Sequence, residues 1–261
     1  MNILDTLVAA SRERVENSKK LISADEMKYM ALSMQDETFD FETALSKKGL
    51  SFIAECKKGM PITGVFHTGH HYIELANDFE NAGADCISVV TEPNYFLGCR
   101  DHLRIVVNEV SVPCLRREAI IDEYMIYETK IIGAKAVMMI PGLLNDDELR
   151  EYIKVCDSLG ISALMETVTE EDIKRSLNAG ARIIAVDNRD IRDCNIDPER
   201  CLRLRDTVPS DVIYVAEGGI STVEEIKRLR EAKVDAVIIG SALMEAEDPT
   251  AKLKELRGKR R

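Results

Sequence analysis

Residues 51–64 read SFIAECKKGMPITG. Phe52, Ile53 and Ala54 form a short apolar run, the pattern of a strand buried on both faces. Side chains alternate along a strand, so Glu55 and Lys57 point the same way. A loop with Gly59, Pro61 and Gly64 follows. A carboxylate and an ammonium at the end of a buried strand are costly to desolvate, which marks them as candidate functional groups.

The same unit repeats outward from this stretch. Apolar, β-branched runs predict strands at Phe52–Cys56, Cys86–Thr91, Val112–Arg116, Ala136–Ile140, Ala163–Thr167, Ile183–Asp187, Val212–Ala216 and Ala236–Ile239. Charged, helix-period segments alternate with them: Tyr72–Ala82, Arg100–Glu109, Glu123–Gly133, Asp146–Leu159, Glu170–Ala179, Pro198–Val208, Thr222–Lys233 and Thr250–Leu256. Gly83, Gly133, Gly160 and Gly180 stand where a helix must stop before the next strand. Strands this apolar should be parallel, and eight βα units most simply close into a (β/α)8 TIM barrel. An open doubly wound sheet is the alternative.

Residues before 50 read as helices. Ile3, Leu4, Leu7, Val8 and Val15 share a face, and Ser23 with Glu26 makes a capping box for a second helix. A third short helix fits Thr38–Ser46. The expected organisation is one TIM-barrel domain over 1–261: a helical extension, 1–48, packed on eight βα units, 50–256. Arg257–Arg261 reads as a solvated tail.

The chain has 261 residues, 45% of them hydrophobic, and a formal net charge of -11. That length suits an α/β barrel, and the acidity argues against nucleic acid or an anionic membrane as partner. Seven scattered cysteines without a CxxC suit reduced thiols in the cytoplasm. No signal-peptide pattern or membrane-spanning stretch is expected.

A barrel of this class works at the C-terminal ends of its strands. The polar and ionisable residues expected there are Glu55 and Lys57 after the first strand, Thr91 and Glu92 after the second, and Arg116, Arg117 and Glu118 after the third. Glu166 ends the fifth, Asp187, Asn188 and Arg189 the sixth, and Glu217 the seventh. Each alone reads as a cap or a loop charge; their recurrence at one end does not. The last two loops, Glu217-Gly218-Gly219-Ile220 and Ile239-Gly240-Ser241-Ala242, carry glycines that let backbone N–H groups approach an anion, where barrels usually bind phosphate. His67, His70 and His71 lack the companions of a metal site and read as loop residues. Cys56 alternates away from Glu55 and Lys57, so a cysteine nucleophile is not expected.

These segments together resemble the indole-3-glycerol-phosphate synthase family. The resemblance rests on ILDTLVAASRERV (3–15), FIAECKK (52–58), ISVVTEPNYFLG (87–98), IIDEYMIYE (120–128), AVDNRDI (185–191), AEGGI (216–220) and IGSALM (239–244), in order across nearly the whole chain. It implies a (β/α)8 barrel with an N-terminal helical segment and a carbon–carbon lyase (carboxy-lyase) of tryptophan biosynthesis. Such an enzyme converts 1-(2-carboxyphenylamino)-1-deoxyribulose 5-phosphate to indole-3-glycerol phosphate, losing CO2 and water, with no metal or organic cofactor. The implied partner is this small phosphosugar; no nucleic acid or membrane, and a monomer or weak homo-oligomer. Glu55, Lys57, Glu166 and Glu217 match the family's proton-handling positions. Arg189, Gly219, Gly240 and Ser241 match its substrate and phosphate contacts.

Other positions depart from the family pattern. A lysine in a Leu-Arg-Lys-Asp-Phe motif is Arg117 here, and the phenylalanine two residues on is Ala119. An asparagine is Asp187, a serine is Gly218, and a Ser-Pro-Ser loop is Met60-Pro61-Ile62. Arginine binds carboxylates bidentately but is a poor proton donor at neutral pH. Three readings stay open. In the first, a divergent synthase lets Lys57 donate the proton while Arg117 holds the substrate carboxylate, with Asp187 in the catalytic set. The second is a paralogue acting on another phosphosugar, and the third a catalytically weak binding protein. If Arg117 merely replaces a needed acid, Arg117→Lys should raise activity.

Overall fold

In a computed structural model, residues 3–34, 38–60, 64–66, 72–192 and 195–258 are described. Eight parallel strands close into a barrel: β1 Ser51–Cys56, β2 Cys86–Val90, β3 Cys114–Arg117, β4 Ala136–Met139, β5 Ser162–Thr167, β6 Ile183–Asp187, β7 Ile213–Glu217 and β8 Ala236–Ile239. Each strand pairs with its successor, and β8 pairs with β1 through Ser51↔Ala236 to Ala54↔Ile239. The open sheet is thereby excluded.

Three helices precede the barrel: α1 Ile3–Leu21, α2 Ala24–Leu32 and α3 Asp40–Leu45. Ser23 caps α2, its hydroxyl accepting from the Glu26 amide. Between the strands run α4 Tyr72–Ala82, α5 Arg100–Glu109, α6 Glu123–Ile132, α7 Asp146–Leu159, α8 Glu170–Ala179, α9 Arg200–Arg203 and α10 Val223–Glu231. The short α11 Ser241–Met244 and the closing α12 Pro249–Arg257 follow β8. Gly83, Gly133, Gly160 and Gly180 all take left-handed φ at helix ends, as their spacing predicts.

The helix expected over Pro198–Val208 is shorter. It is α9 followed by a 3-10 turn, Arg205–Thr207, and the Arg200 amide closes a turn onto the Asp197 carbonyl before it. Neither α11 nor a two-residue ribbon, Gly59–Met60 against Gly64–Val65, was expected; each is too short to leave a periodic pattern. His67, His70, His71, Pro61 and Ile62 lie outside the described residues.

Strand alternation divides the interior in two. Phe52, Ala54 and Cys56 face the helices, while Ile53 faces the barrel axis with Leu115, Met138, Leu164, Ile183, Val215 and Ile238. Phe41 and Leu45 of α3, both fully buried, join that axial cluster and plug the barrel. Ser51, at the N-terminal start of β1, makes long hydrogen-bond contacts to carbonyls of α3, which places the plug at the N-terminal end. The C-terminal mouth is left for a cavity.

Arg116 shows what the alternation does to neighbouring residues. It faces outward and is fully buried between barrel and helices. There it donates to Glu128 Oε2 (2.8 Å), Met125 O (3.1 Å) and Thr129 Oγ1 (3.2 Å) on α6. Removing one partner of a buried pair strands the other charge. We expect Arg116→Ala to cost about 3–5 kcal/mol in a urea unfolding experiment, with the barrel-mouth residues untouched.

Candidate active site

Inward parity carries five strand ends to one place. Glu55 follows Ile53 on β1, Arg117 follows Leu115 on β3, and Glu166 follows Leu164 on β5. Asp187 follows Ala185 on β6, and Glu217 follows Val215 on β7. All line one cavity of about 250 Å³ at the C-terminal mouth. Lys57, Arg189, Gly218, Gly219, Gly240 and Ser241 line it as well. Arg116, Glu118, Thr91 and Glu92 do not. They lie on the outward side, where Arg14 of α1 reaches Glu118 (2.7 Å) and Thr91 donates to Glu118 (2.6 Å). Asn188 is spent on structure: it donates to Gly218 O and accepts from the Cys201 amide.

The central group is Arg117. Its Nε lies 3.1 Å from Glu55 Oε2, Nη1 donates to Glu217 Oε2 (2.6 Å), and Nη2 donates to Glu166 Oε2 (2.5 Å). Each face of the guanidinium fork therefore meets a different glutamate. The sequence expectation that Arg117 holds a substrate carboxylate meets a fork already filled from within the protein. Lys57 Nζ sits 3.0 Å from Glu55 Oε1. Glu55 thus bridges both cations, which hold its carboxyl below the usual range against the opposing effect of burial.

The other carboxyls shift the other way. Burial pushes Glu166 well above its ordinary value; Arg117 opposes this, and Glu217 and Asp187 add to it. Burial also raises Glu217, again against Arg117. Asp187 is pushed up to about 7, first by burial and then by Glu217, its direct register partner on the next strand. Glu166, Asp187 and Glu217 each offer an oxygen within 4.8 Å of the others, a spacing that could hold a cation, although Arg117 already supplies positive charge to two of them.

Two glycines are required by close approach. A Cβ on Gly240 would stand 2.3 Å from Glu55 Oε1 and 2.9 Å from Lys57 Nζ. Gly218, at φ +80, would place a Cβ 2.0 Å from Asp187 Oδ1. The cavity also takes Phe96, Met60, Ile191 and Ile196, which were not among the expected site residues. Phe96, Ile191 and Ile196 come from loops and Met60 from the two-residue ribbon, where no periodic signal reveals which way a side chain points. Phe96 is held there by Glu92, whose carboxylate accepts from the amides of Asn94, Tyr95 and Phe96.

A family profile described as indole-3-glycerol phosphate synthase matches residues 4–256. An indole-3-glycerol phosphate synthase of Ruminiclostridium cellulolyticum is 43% identical over 98% of this chain and 99% of that protein. One from Endomicrobium trichonymphae is also 43% identical, over the same shares. Among solved structures, a 3-hexulose-6-phosphate synthase superimposes with a TM-score of 0.63 at 17% identity, covering 80% of this chain and 98% of that one. Orotidine 5'-phosphate decarboxylase from Pyrococcus horikoshii OT3 gives 0.58 at 17% identity, over 79% and 100%. At such identity these two speak for the barrel alone.

Proposed function

This chain belongs to the indole-3-glycerol phosphate synthase family, a group of carboxy-lyases in tryptophan biosynthesis, and from that premise we propose that its barrel mouth closes the indole ring of 1-(2-carboxyphenylamino)-1-deoxyribulose 5-phosphate. The observation that carries the assignment is the convergence of Glu55, Lys57, Arg117, Glu166, Asp187 and Glu217 on one cavity.

The chemistry has three demands. The ring carbon bearing the carboxylate bonds to the ketone carbon, and the ketone oxygen must gain a proton. The C–CO2 electron pair returns to the ring as CO2 leaves. A hydroxyl then departs with a proton while the neighbouring carbon loses one. Glu166 is our base for that last proton: a carboxyl at the end of β5 that lines the cavity, its pKa raised by burial. Lys57, set by Glu55, is the acid for the departing hydroxyl. Glu55, Glu166 and Glu217 hold Arg117, whose fixed charge favours anions developing in the cavity.

The phosphate end falls to Arg189 and to the backbone at Gly218, Gly219, Gly240 and Ser241, in the loops after β6, β7 and β8. We place the reaction in the cytoplasm. The cysteines among the described residues are free, and no helix among those residues is long and apolar enough to cross a membrane. The test is turnover of the carboxyphenylamino deoxyribulose phosphate, followed as indole emission. The chain has no Trp, so its own background is low.

The filled fork of Arg117 favours a second reading, in which the same scaffold processes a phosphosugar without a carboxylate for Arg117 to receive. Both readings expect an anion site. Inorganic phosphate at a hundred times its Kd should stabilise the protein by about 2.7 kcal/mol in a thermal shift assay. Silence on the carboxyphenylamino substrate with that stabilisation retained would favour the second.

A further inference from the structure

The charges of the cavity do not balance. Four carboxyls, on Glu55, Glu166, Asp187 and Glu217, are at least nine-tenths buried. Three partly buried cations, Lys57, Arg117 and Arg189, line the same cavity. The contacts are unevenly shared. Arg117 touches Glu55, Glu166 and Glu217, and Lys57 touches Glu55. Asp187 has no ion pair among the described residues; its Oδ1 accepts only the Arg189 amide (2.8 Å), and its Oδ2 accepts no hydrogen bond from them. It stands beside Glu217 in register, and Glu217 Oε1 is itself buried without a hydrogen-bond partner. A lone buried carboxylate next to another is the arrangement in which one of the two keeps its proton.

The space for Asp187 depends on its neighbour. With Gly218 there is no Cβ, and one would fall 2.0 Å from Asp187 Oδ1 and 2.8 Å from the Arg189 amide. Gly218 thus lets the carboxyl lie in the wall of the cavity with Oδ2 unengaged. We infer that Asp187 enters the reaction as the protonated acid of this pocket and delivers its proton to the substrate ketone oxygen, a task that the guanidinium of Arg117 cannot perform. This rests on the ring-closing reading.

The step balances. As the ring carbon bonds to the ketone carbon, the C=O π pair takes the Asp187 proton and becomes a hydroxyl. The C–CO2 pair restores the aromatic ring as CO2 leaves. Asp187 is left as a carboxylate and regains its proton from water. Each carboxylate substrate consumes one proton overall, because the dehydration returns the proton it uses.

The groups facing Asp187 set its titration. Burial and Glu217 raise it; Arg117, Arg189 and the Arg189 amide lower it, and the net position is about 7. Glu166 stands on the other flank, and Arg200 donates to the Asp187 backbone carbonyl. A carboxyl raised in the folded state stabilises the fold at low pH, and that contribution is lost as pH rises toward 7.

The experiment compares the wild type with Asp187→Asn, which keeps the shape, in two readouts. In kcat/KM against pH, the wild type should lose activity on an alkaline limb near pH 7. The variant should be at least about 100-fold slower and lack that limb. In thermal melts from pH 4 to 8, the wild type should lose Tm relative to the variant as pH rises. Unchanged kcat/KM and an unchanged limb in Asp187→Asn would overturn the donor role, and a constant Tm difference would overturn the bound proton. A Tm or rate increase with Mn2+ in the wild type that Asp187→Asn abolishes would also overturn it, since a cation would then balance the charge. No turnover by the wild type would sink the ring-closing reading and the donor role with it, while the melts separately decide whether Asp187 holds a proton.

Discussion

Glu166→Gln should abolish the rise in indole emission expected of the wild-type protein with the carboxyphenylamino substrate, a loss of about 10²–10⁴-fold in kcat. Glu166 ends β5 on the axial face, 7% exposed, and its Oε2 accepts from Arg117. Burial outweighs that contact and raises its pKa, and a carboxyl can take and return a proton where an amide cannot. Glutamine still offers an oxygen to Arg117 Nη2, so the fold should persist and Tm should move by no more than a few degrees. Retention of more than a tenth of the wild-type rate would remove Glu166 from proton transfer and leave it as a clamp on Arg117.

Arg117→Ala should damage stability and activity together. The guanidinium lies among Glu55, Glu166 and Glu217, all buried, and its loss leaves Glu166 and Glu217 with no ion pair among the described residues. Breaking a buried pair from one side costs about 3–5 kcal/mol. The cost should depend on pH in a known direction. Without Arg117, Glu166 and Glu217 are pushed further above their unfolded values, so the deficit should be small at acidic pH and grow as pH rises toward neutrality. Urea unfolding at pH 5 and pH 8 measures it; an equal deficit at both would show that the glutamates do not depend on this cation.

Arg117→Lys is the sharper companion. The family resemblance suggested that restoring a lysine would raise activity if Arg117 merely replaces a needed acid. The geometry reverses that expectation. Three nitrogens of one rigid fork contact three separate glutamates, whereas an ammonium is a single point of charge. We expect a fall in kcat/KM, and a rise would show that a titratable donor at this position is what the pocket lacks.

Much of the architecture was legible along the chain, for a local reason. Cys86, Ile183 and Ala236 begin strands whose apolar runs are bounded by charged helical segments, and the spacing of eight such units leaves few closed alternatives. Helix ends were visible where glycine must take a left-handed φ, as at Gly133 and Gly160. The same period of two that marks a strand also says which residues share a face, so the grouping of Glu55 with Lys57 could be read directly. It could equally have separated Arg116 from Arg117, and that inference was there to be drawn.

The partners within the pocket were not legible. Arg117 meets Glu217 a hundred positions away and Glu166 forty-nine away. Which carboxylates face one guanidinium depends on how far each strand slides against the next as the ring closes, and no local pattern encodes that. The sequence by itself determined the eight units, the inward parity of their last residues and the kinds of charge they bring. Tertiary structure alone decided that Arg117 is filled by three glutamates and that Asp187 has no ion pair among the described residues. Those outcomes depend on distances of a few ångströms in a dry cavity, where each misplaced charge is costly.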